Sequence, residues 1–112
     1  MLYLSIALFA LAAILGAVML VKWFNAQGAS KAVIYSHGVV AATALTLLVL
    51  YWMAHPEDFP TVVLILFGIG AVGGFYLFFN ERSTGKRPVG IAVVHALLGV
   101  SAFLLLLAFA LK

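Results

Sequence analysis

Four apolar runs, separated only by short polar turns, decide most of what this chain can become. A membrane span needs roughly 20 apolar residues, and runs of that size cover about residues 2–21, 32–54, 61–79 and 89–111. The connections between them are Asn25-Ala26-Gln27-Gly28-Ala29-Ser30-Lys31, His55-Pro56-Glu57-Asp58-Phe59-Pro60 and Asn80-Glu81-Arg82-Ser83-Thr84-Gly85-Lys86-Arg87-Pro88. Pro56 and Pro60 break the second run from the third, because proline lacks the N–H and clashes with the preceding turn. Only 8% of the residues are charged, against about 25% in a soluble domain, which is too little to cover a water-facing surface. The first run is expected to be retained rather than cleaved. Met1-Leu2-Tyr3-Leu4 has no positive charge, and the run to Val21 is longer than the core of a signal peptide. The predicted fold is all-α: an integral membrane four-helix bundle, up-down-up-down because the connections are short.

The chain also repeats itself. Tyr35-Ser36-His37-Gly38-Val39-Val40-Ala41-Ala42-Thr43-Ala44 has a partner in Val94-His95-Ala96-Leu97-Leu98-Gly99-Val100-Ser101-Ala102, at an offset of 58 (95 − 37). At the same offset Phe9 falls on Phe67, Ala13 on Ala71, Gly16 on Gly74, Ala44 on Ala102, and Leu47 and Leu48 on Leu105 and Leu106. Ala41 falls on Gly99 and Thr43 on Ser101, small on small. A repeat fixes architecture. The expectation is one transmembrane domain over residues 1–112, built from two tandem helical hairpins at about 2–54 and 60–111, each with one histidine in its second helix.

Charge gives orientation. Lys22, Lys31, Arg82, Lys86 and Arg87 all lie in or beside the first and third connections, whereas the second carries Glu57 and Asp58. By the positive-inside rule the first and third connections face the cytoplasm, and both termini lie outside, as in a bacterial inner-membrane protein. Trp23 and Tyr35 on one side, and Tyr3, Tyr51 and Trp52 on the other, suit interfacial belts. The net charge of +3 is therefore topological and does not point to nucleic acid. The absence of cysteine removes disulfides, iron–sulfur clusters and covalently attached haem.

His37 lies six residues past Lys31 and His95 seven past Pro88, about 9–10 Å into the membrane at 1.5 Å per residue. An ionisable side chain at that depth is costly and marks function by default. As purely structural groups, the pair would be neutral and hydrogen-bonded to a carbonyl or hydroxyl. Diagonal helices of a bundle are roughly 11–14 Å apart. Two imidazoles reaching inward across that gap leave room for one iron in a flat macrocycle standing in the core. Such a ring needs small neighbours, and the positions one and two turns along each face are Ala41, Ala44, Gly99 and Ala102. Gly16 and Gly74 fall near the same depth on the other two helices, with Gly68, Gly70 and Gly73 beside the latter. Those glycines also fit close helix packing of the small-xxx-small kind. The acidic propionates of a haem need cations, and Lys31, Lys86 and Arg87 stand at the cytoplasmic end.

This arrangement resembles the membrane cytochromes b, including the b subunits of quinol-oxidising complexes and the b561-like proteins. Those proteins hold haem b between histidines on facing helices of a four-helix bundle, and glycines in the neighbouring helices make room for the ring. The resemblance is carried by His37, His95, Gly16 and Gly74 and spans nearly the whole chain. It departs from the two-haem pattern, in which a second histidine follows about 13 residues along each ligand helix. Here those places hold Leu50 and Ala108. The resemblance thus implies one haem b per four-helix unit.

The three acids, Glu57, Asp58 and Glu81, all lie in connections. Small multidrug transporters share this length and span number but depend on a glutamate in the first span, where this chain has Ile14 and other apolar residues. Proton-coupled transport through a membrane carboxylate is therefore not expected. No phosphate loop, nucleophile elbow or zinc-protease motif is present. His55, before Pro56, reads as a solvated interfacial histidine, with quinol-headgroup or metal binding as its alternative. The expected work is one-electron transfer, because two axial histidines fill both open positions of a haem iron. The partner would be quinol, an oxygen species or a redox protein, with Tyr35, Trp23 and Tyr76 as quinol-site candidates by location alone. The alternatives are a cofactor-free accessory or assembly subunit and a small homo-oligomeric transporter or channel. The glycines of the third helix would serve a homodimer or the bundle interior equally well.

Overall fold

The computed structural model describes every residue except Ala26 and Arg87. Its elements are α1 (Leu2–Phe24), α2 (Lys31–Ala54), α3 (Thr61–Thr84) and α4 (Val89–Ala110), with no strand among the described residues. All four are long and apolar enough to cross a membrane. Helices of 22 to 24 residues measure roughly 33–36 Å, a little more than a hydrocarbon core of about 30 Å.

The helix ends follow local chemistry. Ser30 caps α2, its hydroxyl accepting from the Val33 N–H at 3.3 Å. Two helices outrun their expected ends. α1 continues past Val21 to Phe24, and α3 continues past Phe79 through Asn80, Glu81, Arg82 and Ser83 to Thr84. Nothing in that polar segment breaks a helix until Gly85, which takes the left-handed conformation at φ 70° and donates its N–H to the Glu81 carbonyl. The polar tail of α3 is thus helix that emerges from the apolar segment, not loop.

α1 packs most extensively on α2, and α3 on α4. α1 also lies along α4, while α2 and α3 touch least. Among the described residues no Cα of α1 comes within 8 Å of α3, nor any of α2 within 8 Å of α4. α2 and α4 therefore face each other across the bundle, as the histidine argument requires. The inward residues recur at alternating spacings of three and four, the spacing of a packed helix seam. On α1 they are Ser5, Phe9, Ala12 and Gly16, and on α3 Val63, Phe67, Gly70 and Gly74. On α2 they are His37, Ala41, Ala44 and Leu48, and on α4 His95, Gly99, Ala102 and Leu106.

Burial along this interior is uneven. One half is a closed core of Phe9, Ala44, Leu48, Phe59, Val63, Phe67, Ala102 and Leu106. Its centre is the Phe9–Phe67 pair, stacked across the α1–α3 diagonal at 4.0 Å between ring centroids and 5° between planes. In the other half, Gly16, His37, Ala41, Gly74, His95 and Gly99 are half-buried, while Ala12, Gly70, Leu77 and Ala92 are buried. Within the closed half, Ser5 donates its hydroxyl to the Ala44 carbonyl at 2.9 Å, tying α1 to α2. Ser5→Ala is expected to cost about 0.6 kcal/mol, the mean for a side-chain hydrogen bond between membrane helices. Unfolding in detergent checks this, and an unchanged midpoint would show that the bond contributes nothing.

Candidate functional site

The site begins with two equivalent reaches. His37 on α2 places Nδ1 2.8 Å from the Ala12 carbonyl of α1, and His95 on α4 places Nδ1 2.7 Å from the Gly70 carbonyl of α3. The four residues obey the offset of 58 that relates the two halves of the sequence. A carbonyl oxygen only accepts, so both Nδ1 atoms must donate. Each ring is then held as the tautomer that leaves a lone pair on Nε2. Locking one ring nitrogen to a carbonyl is the usual way a protein orients a ligand imidazole and raises its basicity.

Glycine explains how the rings lie so close to α1 and α3. A Cβ built on Gly16 would fall 3.0 Å from Cε1 of His37, and one built on Gly74 would fall 3.0 Å from Cε1 of His95. Gly73 also lies against His95, its Cβ position 3.8 Å from the His95 Cβ. A Cβ on Gly99, one turn along the inner face from His95, would meet nothing within 4 Å, so the space there is open. Gly68 likewise faces nothing within 4 Å and takes no part.

The two rings stand 6.2 Å apart between centroids, with 80° between their planes. A linear nitrogen–metal–nitrogen unit with bonds of about 2.0–2.1 Å separates imidazole centroids by roughly 6.3 Å. The centroid spacing alone is close to that distance, and an edge-to-face ring contact has the same spacing and angle. Among the described residues no three His, Cys, Asp or Glu side chains come together, so side chains alone would give a metal two ligands.

The remaining sequence candidates divide. Ala41 and Gly99 are half-buried one turn from the histidines, while Ala44 and Ala102 are fully buried in the phenylalanine layer. That second pair forms the floor of the site rather than its lining. Lys31, the first residue of α2, and Lys86, in the α3–α4 connection, are both exposed; Arg87 lies outside the described residues. Tyr76 is exposed and accepts from Asn80 Nδ2 at 3.3 Å. His55 is exposed, with Nδ1 3.1 Å from the Tyr51 carbonyl and its ring stacked on Tyr51 at 4.3 Å.

Arg82 was not legible as an interacting residue. Its Nη1 donates to the Tyr35 hydroxyl at 2.8 Å, bridging α3 to α2 along the seam where those helices touch least. Phe78 lies against both, 5.6 Å from the guanidinium and edge-on to Tyr35 at 5.6 Å. The available signal was the lack of any breaker before Gly85. Once the helix continues, Phe78 and Arg82 stand one turn apart on one face.

These features define a four-helix protein with membrane-length apolar helices and a histidine pair facing across its interior. No family model, curated protein or solved structure matches the chain.

Proposed function

We propose that this is an integral membrane b-type haem protein that carries single electrons, with His37 and His95 as the two axial ligands. The chain would be two tandem hairpins in an up-down-up-down bundle. The first and third connections would be cytoplasmic and both termini outside, in a bacterial inner membrane. The observation that carries the reading is the pair of imidazoles 6.2 Å apart, each with Nδ1 tied to a carbonyl of a neighbouring helix. Two histidines would hold a metal that brings most of its own ligands, and they would hold a bare ion poorly. Haem would supply a one-electron couple there.

The chain's own residues do the rest. The Ala12 and Gly70 carbonyls fix both rings, and Gly16 and Gly74 give them room. The stacked phenylalanines close the interior on one side, and apolar helices keep water away. Two histidine ligands from the protein would favour electron transfer over oxygen binding. The electron donor or acceptor would be quinol or a redox protein at the membrane.

The test is the visible spectrum of the detergent-purified protein. Low-spin haem b bands in the reduced-minus-oxidised difference support the reading. A protein that stays colourless, and gains no such bands when haem b is added, overturns it. A second reading draws on the same two histidine–carbonyl bonds, which tie α1 to α2 and α3 to α4 without any cofactor. On that reading the chain is an accessory subunit or a small homo-oligomeric transporter, and it remains colourless.

A further inference from the structure

Trp23 carries the one buried side-chain nitrogen or oxygen without a hydrogen-bond partner among the described residues, its indole Nε1. An indole N–H is a donor and nothing else, and burying it unmade is unfavourable. A tryptophan serving as a membrane-surface anchor turns this group to the headgroups, but here the atom is shielded from outside. Its place on α1 shows where an acceptor would come from. Gly16, which abuts the His37 ring, faces the interior. Trp23 is seven residues further on the same face, about 10 Å toward the C-terminal end of α1.

We propose that the Trp23 indole N–H donates to a propionate carboxylate of the bound haem, fixing that edge of the ring toward the C-terminal end of α1. This rests on the haem reading above. A flat apolar ring whose acidic groups project from one edge brings an anionic acceptor to the place where a donor lacks one. A hydrogen bond to an ionised acceptor is of the strong, charge-assisted kind. Lys22 adjoins Trp23, and Lys31 begins α2 at the same end.

The experiment titrates the protein, freed of haem in detergent, with haem b and separately with haem b dimethyl ester, which lacks ionised carboxylates. Low-spin absorption is the readout. Trp23→Phe keeps an aromatic body and removes the donor. The expected result is a loss of roughly tenfold to a hundredfold in affinity for haem b, with the ester bound equally by native protein and variant. Equal haem b affinity in both proteins, the outcome if a lipid phosphate were the acceptor, overturns the proposal. So does an equal loss for both ligands. If Trp23→Phe fails to fold, the native protein decides. Its 15N-labelled Trp23 indole proton should shift downfield in the reduced, diamagnetic state with haem b but not with the ester, and identical positions overturn the proposal. If native protein gains low-spin bands from neither haem, the haem reading fails and this inference with it. If native protein does and the variant titrates identically, only the role of Trp23 falls.

Discussion

His37→Ala and His95→Ala are each expected to remove the low-spin haem b bands completely, and to do so alike. Each substitution deletes one Nε2 and leaves a single imidazole of the pair. Among the described residues no third His, Cys, Asp or Glu stands near enough to replace it. The two variants should match because the surroundings match. Nδ1 is 2.8 Å from the Ala12 carbonyl in one half and 2.7 Å from the Gly70 carbonyl in the other, and the same glycine approach of 3.0 Å recurs in both. Each variant also loses one interhelical hydrogen bond, at a cost of about 0.6 kcal/mol and at most about 1.7 kcal/mol. That is too little to unfold a four-helix bundle, so helical circular dichroism should persist while colour is lost. Restoring the bands of His37→Gly by added imidazole would separate ligand loss from structural damage. If either alanine variant keeps a normal spectrum, axial ligation by the pair is wrong. If native protein is colourless and both variants lose only stability, the histidines are helix ties.

Much of this interior could be read from the residues, and the exceptions have physical causes. Apolar length located the four helices, because nothing in lipid competes with it as a signal. The cross-bundle pairing of α2 and α4 followed from short connections and is realised in the packing. The offset of 58 brought His37 and Gly16 into register with His95 and Gly74, and the glycines do lie against the rings. Spacing alone could not distinguish the lining of the site from its floor. Ala44 and Ala102 share a face with the histidines, yet they are sealed beneath it because Phe9 and Phe67 meet and close that level. The same logic hid the carbonyl partners. Any of several backbone oxygens on α1 or α3 lay within reach, and only the axial stagger of the helices selects Ala12 and Gly70. Tryptophan near a span end usually anchors at the headgroups, and the identity of Trp23 does not tell that its N–H is buried without a partner. Arg82 was hidden by polarity. Asn80-Glu81-Arg82-Ser83 looks like a loop by composition, but it contains no residue that forbids helix.

Gly16→Val and Gly74→Val are expected to weaken haem binding by roughly tenfold to a hundredfold, while leaving both ligands in the sequence. A Cβ alone at either position comes to 3.0 Å from the histidine Cε1, so the ring must give by a few tenths of an ångström. Gly16→Ala should therefore lose less affinity than Gly16→Val. The branched methyls of valine reach further along the same direction, and a β-branched side chain in a helix has one strongly preferred rotamer with which to avoid the clash. The ring must then swing away and break its bond to the carbonyl, or α1 must move off α2. Overpacking of this kind costs about 1–3 kcal/mol, which corresponds to that loss of affinity because the site has to be rebuilt before a second axial nitrogen can be presented. Gly68→Val and Gly90→Val are the controls, since a Cβ at either position meets nothing within 4 Å, and both should titrate like native protein. The comparison decides between two uses of glycine that sequence alone leaves equal. If the inward glycines serve only to let helices approach, all four valine variants would leave haem affinity unchanged and differ only in unfolding midpoint. If they hold the imidazoles in place, affinity falls at positions 16 and 74 alone, and it falls equally in the two halves of the chain.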